Sequence, residues 1–97
     1  MADPLIGSTE ESMITDAFDP AFDKATTIIL SGDWTGTVQV MRSFNKGETM
    51  HPMTIDGRPY AQFTGNACED ILYDTDGKSR LYLDIEITGG LLNYELR

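Results

Sequence analysis

Any chemistry this chain performs must come from a short roster of side chains. The stretch MRSFNKGETM, Met41 to Met50, gathers Asn45, Lys46, Glu48 and Thr49 around Gly47, a grouping that suits either a ligand loop or the bend of a β-hairpin. A short polar side chain at Asn45 can bond back to turn amides, and Gly47 accepts the positive φ that a reversal needs. The expected reading is therefore a structural turn built on Ser43, Asn45 and Gly47, with no aromatic platform or paired carboxylate at its tip. His51 is the one histidine and Cys68 the one cysteine, and neither has a neighbouring nucleophile, base or metal ligand in the sequence. His51 reads as a surface residue, and Cys68 as a small hydrophobe or a surface thiol. Glu69 and Asp70 are adjacent, so on a strand they point to opposite faces and make a poor general acid/base pair. The run DTDGKS, Asp74 to Ser79, opens like a calcium loop, but Gly77 comes too early and no glutamate closes the pattern, which leaves a hairpin. Trp34 is expected to cap one end of the core. No catalytic residue, cofactor or metal ligand is assigned.

Composition narrows the function classes. Seven basic and sixteen acidic residues among 97 give a formal net charge of −9, which would repel nucleic-acid phosphates and anionic membrane surfaces, so neither is expected as a partner. The single cysteine cannot form a disulfide within the chain. The start MADPLIGSTEESM has no basic n-region or continuous apolar h-region, so no signal peptide is expected and synthesis in a cytoplasm follows.

The elements that must position these residues read as strands. From Ala25 onward the apolar period is two: ATTIILSG closes on Gly32, TGTVQVMRSF alternates through Val38 and Val40, and HPMTIDG and PYAQFTG are short runs with turn signals. In SRLYLDIEITGG, Leu81, Leu83, Ile85 and Ile87 share one face, Tyr82, Asp84, Glu86 and Thr88 the other, and Gly89-Gly90 supplies a turn before LLNYELR. The expected fold is all-β, an antiparallel sandwich with immunoglobulin-like or jelly-roll-like connections and about seven or eight short strands. Two regions are expected: an acidic extended arm over residues 1–24, with a short strand around Met13 to Ala17, and one sandwich domain over residues 25–97. The arm carries Asp3, Glu10, Glu11, Asp16, Asp19 and Asp23 against Lys24 alone, and its Met13, Ile14, Phe18 and Phe22 suggest that it packs onto something.

Two resemblances add to this. Ser43 to Met50 resembles the Asp-box hairpin, Ser/Thr-x-Asp-x-Gly-x-x-Trp, with Asn45 in place of the aspartate and Met50 in place of the tryptophan; in sialidases and other proteins that box is a structural turn. Over Leu30 to the C-terminus, Gly-x-Trp-x-Gly-x-Val, the Arg-Ser-Phe-x-x-Gly turn and the late Tyr-x-Leu strand resemble small all-β structural proteins of tailed bacteriophages and prophages. That resemblance implies a non-enzymatic virion component, foremost a capsid decoration or cement protein that binds the major capsid protein or another virion protein. It implies a virion location and a homo-oligomer, with dimer and trimer both open. Met13, Ile14, Phe18 and Phe22 would then be partner-binding anchors, and removal of residues 1–24 would leave a folded core that no longer binds. Alternatives are a tail or head–tail joining subunit, or a carbohydrate-binding sandwich stacking sugars on Trp34, Tyr60 and Tyr82.

Overall fold

The structure, a computed structural model, describes residues 4–73 and 77–97. It is all-β and antiparallel, consistent with a small sandwich, and contains no helix among those residues. Nine strands follow in order: β1 (Leu5–Thr9), β2 (Met13–Ile14), β3 (Ala25–Ser43), β4 (His51–Pro52), β5 (Thr54–Ile55), β6 (Arg58–Pro59), β7 (Gln62–Phe63), β8 (Ala67–Tyr73) and β9 (Arg80–Leu96). The residues of the hairpin expected at Asp74 to Ser79 fall partly outside the described segments.

Two strands dominate. β3 runs for 19 residues and β9 for 17, and they pair antiparallel from Ile28↔Leu96 to Ser43↔Arg80. The glycines expected to end strands do not end them. Gly32 holds φ at 108° and Gly90 at 85°, so each long strand bends there without leaving the ladder. A register shift between Thr35 and Gly36 adds Thr88 as an extra residue opposite the bend, and its hydroxyl donates to the Thr35 carbonyl at 3.2 Å. The backbones approach so closely that a Cβ on Gly36 would lie 2.0 Å from the Glu86 carbonyl oxygen, and one on Gly90 2.0 Å from that of Asp33. Only glycine fits these two crossings.

The bend divides one sheet into two halves that share both long strands, the way orthogonal sandwiches turn their corners. In one half the order is β8, the start of β3, the end of β9, then β1. In the other, β2 lies beside the start of β9, and β4 and β7 lie beside the end of β3. Alternation then fills the space between. Ile28, Leu30, Leu92, Tyr94 and Leu96 come from the first half, and Val38, Val40, Leu81, Leu83 and Ile85 from the second, forming a single buried cluster. A bulge at Thr26/Thr27 leaves Ile71 of β8 unpaired, and its side chain joins the same cluster. Asp56 and Gly57, both at positive φ, form the two-residue turn between β5 and β6.

Residues 5–18 belong to this core rather than hanging from it. β1 pairs with β9 from Leu5↔Leu96 to Thr9↔Leu92, and Gly7 lets the Tyr94 ring lie across it: a Cβ there would meet the ring oxygen at 2.4 Å. Past Thr9 the chain crosses to the other half and follows β9 again. The Ser12 hydroxyl accepts from the Ile87 amide, the Thr15 hydroxyl accepts from the Leu83 amide at 3.0 Å, and Phe18 exchanges two backbone hydrogen bonds with Leu81. The Ser8-x-x-Glu11 spacing caps no helix, because Ser8 sits in β1.

Candidate binding surface

The four residues expected as partner-binding anchors, Met13, Ile14, Phe18 and Phe22, separate into two kinds. Phe18 is 2% exposed and packs in the protein's own core, so it is not a surface anchor. Its bridge to Leu81 places it there, and its apolar area is already used. Ile14 and Phe22 are 53% and 67% exposed, and Met13 is more covered, at the edge beside Ile85. Phe22 reaches the other end of β8, near Gly77. Its neighbour Asp23 accepts a 2.7 Å hydrogen bond from the Tyr73 hydroxyl, and that bond to a carboxylate raises the phenol above its ordinary 10.0.

The turn after β3 is closed on itself. The buried Ser43 hydroxyl accepts from the Gly47 amide at 2.8 Å and donates to Asn45 Oδ1. Asn45 Oδ1 also accepts from the Thr49 amide at 2.9 Å, and Asn45 Nδ2 donates to the Thr49 hydroxyl at 2.7 Å. Lys46 and Gly47 take positive φ, and the turn folds over Tyr82, where a Gly47 Cβ would fall 2.6 Å from the ring oxygen. Asn45 and Thr49 thus spend their polar atoms within the turn, and Lys46 remains outward. Phe44 is exposed beside it, with the Arg42 guanidinium 4.8 Å from its ring centre.

The other candidates are dispersed. Cys68 is an exposed thiol on β8, and His51 is exposed on β4. Glu69 and Asp70 are both exposed, and Asp70 accepts from the Thr27 hydroxyl at 2.7 Å. Trp34 and Tyr60 pack partly against the core, with Trp34 Nε1 donating to Asn66 Oδ1 at 2.8 Å, and Tyr82 is buried under the turn. Of these three rings, Tyr82 is thereby closed to stacking, and Trp34 and Tyr60 are only partly exposed. Among the described residues no three His, Cys, Asp or Glu side chains converge to hold a metal ion, and no helix is long and apolar enough to cross a membrane.

Register brings together a group that sequence reasoning missed. Arg42 opposes Leu81 and Ser43 opposes Arg80, so Arg42, Lys46, Lys78 and Arg80, four of the seven bases, meet at one end. There Lys46, Lys78 and Arg80 border a hollow of about 330 Å³ walled also by Phe44, Asp19 and Ser79. Arg80 Nε lies 3.0 Å from Asp19 Oδ1. A second hollow, of about 270 Å³, lies at Thr37, Gln39, Met41, Asp84 and Glu86. No signal in the linear sequence marks the basic end, since its members lie on two widely separated stretches. No protein-family model, curated protein or solved structure matches this chain.

Proposed function

We propose that this chain is a non-enzymatic structural protein of a tailed-bacteriophage particle, a decoration protein seated on the outside of the capsid shell. The observation that carries the reading is the apolar surface of the first 24 residues. Of eight large hydrophobic residues left exposed among the described residues, four (Ile6, Met13, Ile14 and Phe22) fall in that stretch, and backbone pairing to β9 already fixes the chain around the first three. Side chains held in place and left uncovered are suited to docking on a partner, because their ordering cost is met in advance. The resemblance of Leu30 to the C-terminus to phage structural proteins supplies the partner class.

The segment acts as a fixed docking edge and not as a swinging arm. Truncation of residues 1–24 removes Phe18 from the core along with two strands, so loss of binding in that variant would report unfolding. The net charge of −9 over the whole chain keeps decorated particles apart in solution. A tail or head–tail position shares all of these features. The sugar-binding alternative is not favoured, since Tyr82 is covered and Trp34 is engaged with Asn66.

The test is quantitative mass spectrometry of purified particles from the source that encodes the chain. A copy number comparable with that of the shell protein is expected. A much smaller number moves the protein to the tail or neck, and absence from the particles overturns the virion reading.

A further inference from the structure

The outer face of the second half-sheet presents hydrogen-bond acceptors with nothing to satisfy them. Cross-strand pairing sets Ile14, Asp84, Gln39 and Gln62 in one row over β2, β9, β3 and β7, and places Glu86 opposite Thr37 in the next. The hollow of about 270 Å³ lies over these rows, and no lysine or arginine lines it. Asp84 and Glu86, two apart on β9, point to the same face roughly 7 Å from each other. On β3 each meets a neutral side chain where a base would relieve the repulsion. Among the described residues neither carboxylate forms an ion pair or accepts a hydrogen bond. Gln39 adds to this polarity. Its Nε2 donates to the carbonyl oxygens of Val40 and Tyr60 at 2.9 and 3.0 Å, so the donor end of the amide is tied to backbone. Its Oε1 is thereby held in a fixed direction and receives no donor among the described residues. Asp84, Glu86 and the anchored Gln39 thus share one concavity, whose wall also includes the apolar Met41 and Pro52. Such a lining suits a side chain with a methylene stem and several N–H donors at its end.

We propose that this face takes a basic–apolar segment of a partner protein, with a lysine or arginine entering the hollow between Asp84 and Glu86 and a neighbouring apolar side chain resting on Ile14. Ile14 stands 53% exposed directly opposite Asp84, so one short extended segment reaches both. The net charge of −9 draws such a partner in before contact. A bare divalent cation fits less well, because among the described residues no three His, Cys, Asp or Glu side chains converge to hold one. A second copy of the chain also fits less well, because two molecules at −9 repel as they approach. The inference rests on the reading of the first 24 residues as a docking edge and adds the chemistry of what docks beside Ile14.

The test is a titration of the full-length protein, followed by amide chemical shifts, with a blocked pentapeptide that alternates lysine with leucine. Shifts centred on Gln39, Asp84 and Glu86 are expected. Glu86→Gln, an exposed substitution that keeps the side-chain shape and removes the charge, should weaken peptide binding about tenfold. Glu69→Gln makes the same charge change on exposed β8, outside the hollow, and should leave binding unchanged. Ile14→Ala should weaken binding as well, and a lysine–glycine peptide should bind less tightly than the lysine–leucine one. The proposal is overturned if those amides do not move, or if Glu86→Gln binds the peptide as before. Equal weakening by Glu69→Gln overturns it in favour of attraction to the acidic surface at large. Calcium chloride that shifts the same amides at lower concentration than the peptide overturns it in favour of a metal site. Concentration-dependent self-association abolished by Glu86→Gln overturns it in favour of a second copy. None of these outcomes bears on particle composition, so the proposed virion role and this contact fail separately.

Discussion

Phe18 and Phe22 are close in the same acidic stretch, similar to one another in sequence surroundings, and opposite in fate. Up to Phe18 the chain is laid along β9, exchanging backbone bonds with Leu83 and Leu81, and the ladder aims Phe18 into the core. Beyond it the chain turns away at Pro20, which has no amide to donate, and is next tied by the Tyr73 hydroxyl on Asp23. Phe22, carried on that tether, stays in solvent. Burial here is decided by the availability of a ladder partner and not by the hydrophobicity of the residue. A ring that is apolar enough to enter a core remains outside when no backbone leads it there.

Four changes test that contrast. The largest effect belongs to Phe18→Ala, which empties a fully buried site and should destabilise the fold by about 3–5 kcal/mol in urea unfolding. A loss below about 1 kcal/mol would mean that the segment is not part of the folding unit. Thr15→Val keeps the side-chain volume but leaves the Leu83 amide without its hydroxyl acceptor, and about 1–3 kcal/mol should be lost. That measurement isolates the ladder from the ring it positions. Phe22→Ala should change stability by less than about 0.5 kcal/mol, as exposed positions do, while reducing attachment to particles if the proposed docking role holds. A large stability loss at Phe22 would erase the distinction drawn between the two rings.

The smallest effect is confined to alkaline solution. The Asp23 carboxylate raises the Tyr73 phenol above 10.0, so the hydrogen bond contributes fully below the ordinary tyrosine value and fades as pH climbs through the raised one. The unfolding free energies of the unchanged protein and Tyr73→Phe should differ by a constant amount at neutral pH and converge at the alkaline end. Phenolate absorbance should show one tyrosine, missing in the variant, that ionises late. If the difference were flat to high pH, the Asp23 tether would be absent in solution.

The sequence made some of this legible and hid the rest for identifiable reasons. Alternation at Leu81, Leu83 and Ile85 announced a buried face because period two has no other common cause. The turn at Ser43, Asn45 and Gly47 was legible because its hydrogen bonds are local. Gly32 and Gly89-Gly90 misled, since a glycine that ends a strand and a glycine that bends one look alike until the facing strand is known. Phe18 was indistinguishable from Phe22 for the same reason: its partner, Leu81, lies at the far end of the chain. The basic end was invisible in a chain dominated by acids, because pairing between β3 and β9 is what collects its members.

The position of β9 in this architecture has a consequence for biosynthesis. It is the last of the nine strands, yet β1, β2 and β3 all pair with it, and Leu92, Tyr94 and Leu96 complete the core. A ribosome-bound intermediate lacking this strand would hold β1 and β2 without partners and Ile28, Leu30 and Phe18 without cover. Folding is therefore deferred until β9 has been synthesised, and then proceeds through contacts between distant parts of the chain, the slow kind. Until that moment the nascent polypeptide depends on its acidic charge, and on whatever chaperones attend it, to stay out of aggregates.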